Sequence, residues 1–155
     1  MNLLKKVVDK LFLVREIFSK IGEPHFRRWR IIKYPFIGGG IYLHRLLKSD
    51  QDAHCHDHPW DFTSLILYGG YVEYYPDKPA QIFLPLQVNS KKAEEYHKID
   101  LVHGSTYTLV FMGPKRRPWG YSVNGKWIEN SKYRVMKNSG AFNEVSEDIY
   151  KSERI

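Results

Sequence analysis

Two patterns of apolar and polar positions divide the 155-residue chain, and the boundary falls at Pro24. Before it, Leu3, Leu4, Val7, Val8, Leu11, Phe12, Val14, Ile17, Phe18 and Ile21 recur at spacings of three and four, with Lys5, Lys6, Asp9, Lys10, Arg15 and Lys20 between them. That spacing predicts an amphipathic helix over residues 1–23, closed by Gly22 and Pro24 and packed on its own domain. After Pro24 the period drops to two, and turn residues punctuate the chain every eight to twelve positions. Strands are expected at Trp29–Lys33, Gly40–Leu47, Ala53–His58, Phe62–Leu67, Tyr71–Tyr75, Ala80–Val88, Tyr96–Val102, Tyr107–Met112, Trp119–Val123 and Lys126–Tyr133. Many short strands with tight turns imply an all-β sandwich or barrel, because each sheet must bury a face and cover its edges. Asn124-Gly125 is the sharpest turn signal, since both residues tolerate the positive φ of a type I′ hairpin. Residues 137–155 lose the alternation and read as a polar tail, a short helix or a loose end. With no repeat and no low-complexity linker, the chain reads as one domain with its barrel over residues 26–136.

Composition changes this picture little. The apolar fraction is 43%, and no window reaches the roughly 18 apolar residues of a membrane span. The first residues do not read as a signal peptide, and the single cysteine, Cys55, excludes an intrachain disulfide, so a cytoplasmic protein is expected. The net charge of +7 gathers in RRWR (27–30), KK (91–92) and KRR (115–117), with Phe26, Trp29 and Trp119 nearby. Such clusters suit phosphate contacts. A solvated basic face accounts for them better, so no specific nucleic-acid partner and no membrane partner is expected.

The chemistry concentrates in HCHDHPWDF (54–62). On a strand, His54, His56 and His58 share one face while Cys55 and Asp57 point the other way. Same-face neighbours lie roughly 6.5–7 Å apart, a gap that two imidazoles can close onto one ion at about 2.1 Å each. One metal should therefore take two of the three histidines, with Pro59 bending the chain just after His58. A further ligand must come from elsewhere: His44, Asp61, Glu94, Glu95, His97 and His103 are the candidates, and His97 is the best placed on a strand. Asp61 can equally serve as a carboxylate that orients an imidazole. Tyr71, Glu73 and Tyr75 share a face one strand further on and either line a barrel mouth or form plain sheet surface.

HDHPWDFTSLILYGG, followed by a remote histidine on another strand, resembles the cupin superfamily. More narrowly, HDHPWDF with GGYVE, His97, TLVFMGP and WG is similar to a group of small cupin-like proteins of bacteria and phages, over roughly residues 40–123. The resemblance implies a cupin-type double-stranded β-helix, a jelly-roll barrel that holds one divalent metal. The glutamate of the superfamily's first motif is missing, because counting back from Gly69 or Gly70 reaches Phe62 or Thr63. Members without it resemble three-histidine cupins such as the thiol dioxygenases, which implies His56, His58 and His97 as ligands. The competing register takes His54 and His56 with Asp61 as the carboxylate.

Three functions follow from these readings. The first is a mononuclear metal-dependent enzyme of oxygenase type acting on a small molecule, with Fe(II) favoured and Zn, Ni or Mn as alternatives. The second is a metal-free or zinc-bearing isomerase or sugar-like binder, in which His56 or His97 works with Tyr71 or Tyr107 as the catalytic acid and base. The third is a non-enzymatic interaction protein of phage type. Cupins commonly dimerise, so the resemblance also implies a homodimer.

Overall fold

The computed structural model describes residues 13–18 and 24–142. Eleven strands and one helix are found among them: β1 (Leu13–Phe18), β2 (Pro24–Lys33), β3 (Gly40–Leu46), β4 (Phe62–Tyr68), β5 (Tyr71–Tyr74), β6 (Gln81–Phe83), β7 (Val88–Lys91), β8 (Lys98–Leu101), β9 (Thr106–Met112), β10 (Gly120–Val123), β11 (Lys126–Glu129) and α1 (Asn130–Asn138). One layer is a six-stranded sheet in the order β1-β2-β3-β9-β4-β7. The other comprises the three-stranded sheet β6-β5-β8 and the hairpin β10-β11. From β4 onward the chain crosses repeatedly between layers, which is the winding of an all-β, cupin-type jelly roll. Ile66, Tyr71 and Phe83 form its buried core, with Ile99 and Leu101 packed against them.

Alternation sorts the large sheet into an inner and an outer face. Phe26 and Arg28 on β2, His44 and Leu46 on β3, and Thr108, Val110 and Met112 on β9 line the interior cavity. Their neighbours point outward: Arg27 donates to Glu16, and the Arg45 guanidinium lies 5.3 Å from the ring of Tyr107. The β10-β11 turn is the expected one. Asn124 and Gly125 carry φ values of 50° and 74°, and Val123 faces Lys126 across the hairpin. The sharp passage from β4 to β5 depends on Gly69, where an added Cβ would stand 2.4 Å from the carbonyl oxygen of Ser105.

Three expectations require correction. The helix over residues 1–23 is not found where the chain is described: Leu13–Phe18 is strand β1, paired antiparallel with β2, and the rest of that span lies outside the described residues. LVREIF satisfies either period in so short a window, and the free edge of β2 decides in favour of the strand, which the β-branched Ile17 suits. The strand at Ala53–His58 is absent. Only His56 makes ladder contacts, bridging His97 on one side and Tyr121 on the other. Finally, the strand expected to reach Tyr133 stops at Glu129 and gives way to α1, in which Tyr133 is buried and stacks on Tyr121 with ring centroids 3.7 Å apart. Burial of that one aromatic, together with helix-favouring Lys132, Arg134, Met136 and Lys137, outweighs the strand alternation.

Candidate metal centre

The segment between β3 and β4 is held as a stitched loop. His56 N–H donates to the carbonyl of His97 (2.8 Å) and His97 N–H returns to the carbonyl of His56 (2.9 Å). Asp57 N–H donates to Gly120 O, and His58 N–H to Ala93 O, both at 2.9 Å. Successive residues thus pair with different neighbours. Asp57 is fully buried and locks the arrangement from behind: its carboxylate accepts from Gly120 N–H (2.6 Å) and Trp127 Nε1 (3.0 Å) and pairs with Arg117 (2.9 Å).

The loop brings His56 and His58 against His97, which sits just before β8. Ring centroids are 5.1 Å apart for His56 and His58, 5.0 Å for His56 and His97, and 4.9 Å for His58 and His97. One nitrogen from each lies within 4.8 Å of the others, and His58 Nε2 approaches His97 Nε2 to 2.6 Å. One proton can bridge that contact, or two lone pairs can be offered to a cation. Burial holds His58 well below the usual histidine range, reinforced by its histidine neighbours, and burial lowers His56 against the opposing charge of Asp50. Neutral imidazoles are the form a metal requires.

Behind His97 stands Glu73, fully buried on β5. Its carboxylate accepts the Nδ1–H of His97, which leaves the lone pair on Nε2 facing the other two rings. It also accepts from Tyr75 Oη (2.8 Å) and Asn89 Nδ2 (2.7 Å) and pairs with buried Lys91 (3.1 Å). Burial alone would raise the Glu73 pKa, but the bond from His97 and these partners bring it to about 2. Sequence reasoning placed Glu73 on the face shared by Tyr71 and Tyr75 but missed its role. The available signal was a charged residue at an inward position of an amphipathic strand.

The other candidates lie elsewhere. His54 turns away to Tyr133 Oη (3.0 Å) and to the ring of Phe142, so it does not share a face with His56. Asp61 is 39% exposed at its side chain, accepts from Ala93 N–H (2.8 Å) and pairs with Arg116 (2.7 Å). Glu94 pairs with the same arginine. His44 accepts from Arg28 Nε at 3.0 Å. Tyr71 lines the cavity, and its hydroxyl accepts from Asn89; burial raises its pKa, so it remains neutral. Tyr107 is on the outer face beside Tyr68. Of the basic clusters, Arg27, Arg116 and Arg117 are each committed to a carboxylate of this chain.

The three imidazoles open onto a cavity of about 280 Å³ between the layers. No helix among the described residues is long and apolar enough to cross a membrane. No protein-family model and no curated protein matches the sequence. Solved structures do match in fold. The polyketide cyclase RemF from Streptomyces resistomycificus aligns with 80% of this chain and 84% of its own at 18% identity and a TM-score of 0.56. HutD from Pseudomonas fluorescens SBW25 aligns with 64% of this chain and 55% of its own, at 13% identity and a TM-score of 0.50. A cupin superfamily protein from Desulfitobacterium hafniense aligns with 58% of this chain and 78% of its own, at 18% identity and a TM-score of 0.46. The chain spans about half the length of some of the structures it matches, 47% in the case of a DMSP lyase structure.

Proposed function

We propose that this protein is a mononuclear metal-dependent enzyme of oxygenase type that acts on a small molecule in the cavity between its two layers. The observation that carries this reading is the convergence of three partly or wholly buried imidazoles, one of them fixed by Glu73 in the tautomer that exposes Nε2. The donor set fits a divalent transition metal: three neutral nitrogen ligands suit Fe(II), the favoured ion, and also Zn, Ni or Mn. His56, His58 and His97 would hold it. A metal so bound supplies Lewis acidity and, if redox-active, a route for electrons to O₂.

The chain's own residues do the rest. Glu73 holds His97 in place and keeps its Nδ1 proton. Asp57, between His56 and His58, ties their loop to the β10-β11 hairpin. Tyr71, neutral and lining the cavity, is positioned as a hydrogen-bonding group for bound substrate. Phe62 and Trp119, against the rings of His58 and His56 respectively, give the site apolar walls that limit water. These roles are testable without a known substrate. Anaerobic Fe(II)-loaded protein exposed to nitric oxide should give the electron paramagnetic resonance signal of a high-spin ferrous nitrosyl, and His97→Ala should abolish it. Protein that takes up Fe(II) at this site but gives no nitrosyl signal would exclude an open-site oxygenase.

A further inference from the structure

Arg28 occupies the inner face of β2, where its charge has no carboxylate partner among the described residues. Its Nε donates to Nε2 of His44 (3.0 Å), and its guanidinium carbon lies 5.4 Å from the rings of Phe26 and Tyr42 and 5.7 Å from that of Trp60. His44 cannot neutralise it, because burial, and then Arg28 itself, keeps that imidazole well below the usual range. Three arginines elsewhere pair with carboxylates: Arg27 with Glu16, Arg116 with Asp61 and Glu94, and Arg117 with Asp57. None of these three lines the cavity, whereas Arg28 does.

Its surroundings increase the positive charge. Arg15 lies directly across the β1-β2 ladder from Arg28, and both line the cavity, as do Lys48 and Arg134. Like charges opposite one another destabilise a strand pair. Asp50 is the only carboxylate among the described lining residues, and it is already occupied by the Ile99 N–H (2.9 Å) and by its position 3.9 Å from His56 Nδ1. A guanidinium taken from water without a counterion costs stability, and a bound anion relieves that cost. Its planar fork also matches carboxylate or phosphate oxygens two at a time.

We propose that the cavity binds a small organic anion, its carboxylate or phosphate on the guanidinium of Arg28 and its apolar body against Phe62, Val110 and Met112. This names the substrate class for the enzyme proposed above and rests on that reading only for what happens to the anion after it binds. The aromatic cage of Phe26, Tyr42 and Trp60 is the positioning device, since it fixes the plane of the guanidinium before the ligand arrives.

The test is calorimetric titration of zinc-loaded and of chelator-treated protein with benzoate, benzamide and phenyl phosphate. Benzoate and benzamide share a shape and differ in charge, while phenyl phosphate tells which acid group is preferred. One of the two anions should bind at least about tenfold more tightly than benzamide in both preparations, and Arg28→Gln should bring the ratio within about threefold. Equal binding of benzoate, phenyl phosphate and benzamide, no binding of any of them, or a preference that survives Arg28→Gln would overturn the proposal. If Arg28→Gln does not fold, the arginine Nε–H resonances of the wild-type chain decide instead: benzoate or phenyl phosphate should shift that of Arg28, benzamide should not, and an unmoved signal would refute the assignment. Zinc content of the same samples separates the two readings. Absent metal with an intact anion preference fails the enzyme reading alone, and bound metal without the preference fails this one alone.

Discussion

At the scale of single residues, Glu73 governs the account as much as the histidines do. It is a buried carboxylate whose charge is balanced by Lys91 and whose hydrogen bond selects the tautomer of His97. Glu73→Gln is therefore expected to lower metal affinity about 10- to 100-fold with the fold intact by circular dichroism, the usual effect of removing an outer carboxylate. Asp61→Ala should leave metal affinity unchanged, since its carboxylate is engaged with Arg116 at the surface. Competitive titration against a chromophoric chelator measures both. Unchanged affinity in Glu73→Gln would remove Glu73 from the site's machinery. Acid should act on the same residues in two stages. The folded-state pKa values of His44 and His58 lie below the ordinary 6.5, so the unfolded chain takes up protons first, and stability is full above about pH 6.5 and falls as pH drops below it. Glu73, held at about 2 against 4.5, adds stability that is present above 4.5 and lost as pH falls toward 2. Melting temperatures of chelator-treated protein should be flat above about pH 7 and decline below it; a rise on acidification would contradict the neutral, buried state of these rings.

At the scale of elements, the loop of residues 54–58 depends on a partner hairpin. Asp57 connects it to Gly120, Trp127 and Arg117. Asp57→Ala leaves a guanidinium and a buried N–H without their acceptor, a loss of about 3–5 kcal/mol if the pair behaves as buried ion pairs do. Metal affinity should fall with it, because His56 and His58 flank the anchor. Urea unfolding alongside metal titration checks both effects, and a variant with unchanged stability would show that the loop is held by its backbone bonds alone. These elements also show what the sequence made legible. The periods of two and the Asn124-Gly125 turn announced an all-β architecture because they record local sterics and one-sided burial. The segments read wrongly were decided by tertiary partners: the edge of β2 for Leu13–Phe18, the interleaving of His97 and Gly120 for His54–His58, and the stacking of Tyr133 on Tyr121 for α1. The proximity of His97 to the paired histidines was anticipated from residue type and the cupin resemblance. Glu73 was marked only by the strand face it shares with Tyr71 and Tyr75, and Arg28 by its basic cluster alone, because the roles of both depend on the layer that faces them.

At the scale of the whole molecule, two layers enclose a cavity with three histidines in it and cationic side chains around it. Metal held inside such a shell should be insensitive to salt, whereas any association of the outer basic residues with nucleic acid should weaken steeply between about 50 and 200 mM. Salt titration of metal content and of nucleic-acid affinity tests that separation, and metal loss that tracked salt would place the ion at the surface. The central claim, that His56, His58 and His97 together hold one metal ion, is tested most directly by elemental analysis of protein prepared without chelators, the wild-type chain beside His97→Ala. The wild type should carry close to one equivalent of a divalent transition metal per chain, and His97→Ala should lose most of it while remaining folded. A folded His97→Ala protein at full occupancy, or a wild type that takes up no metal even when Fe(II) or Zn(II) is supplied, would contradict the account.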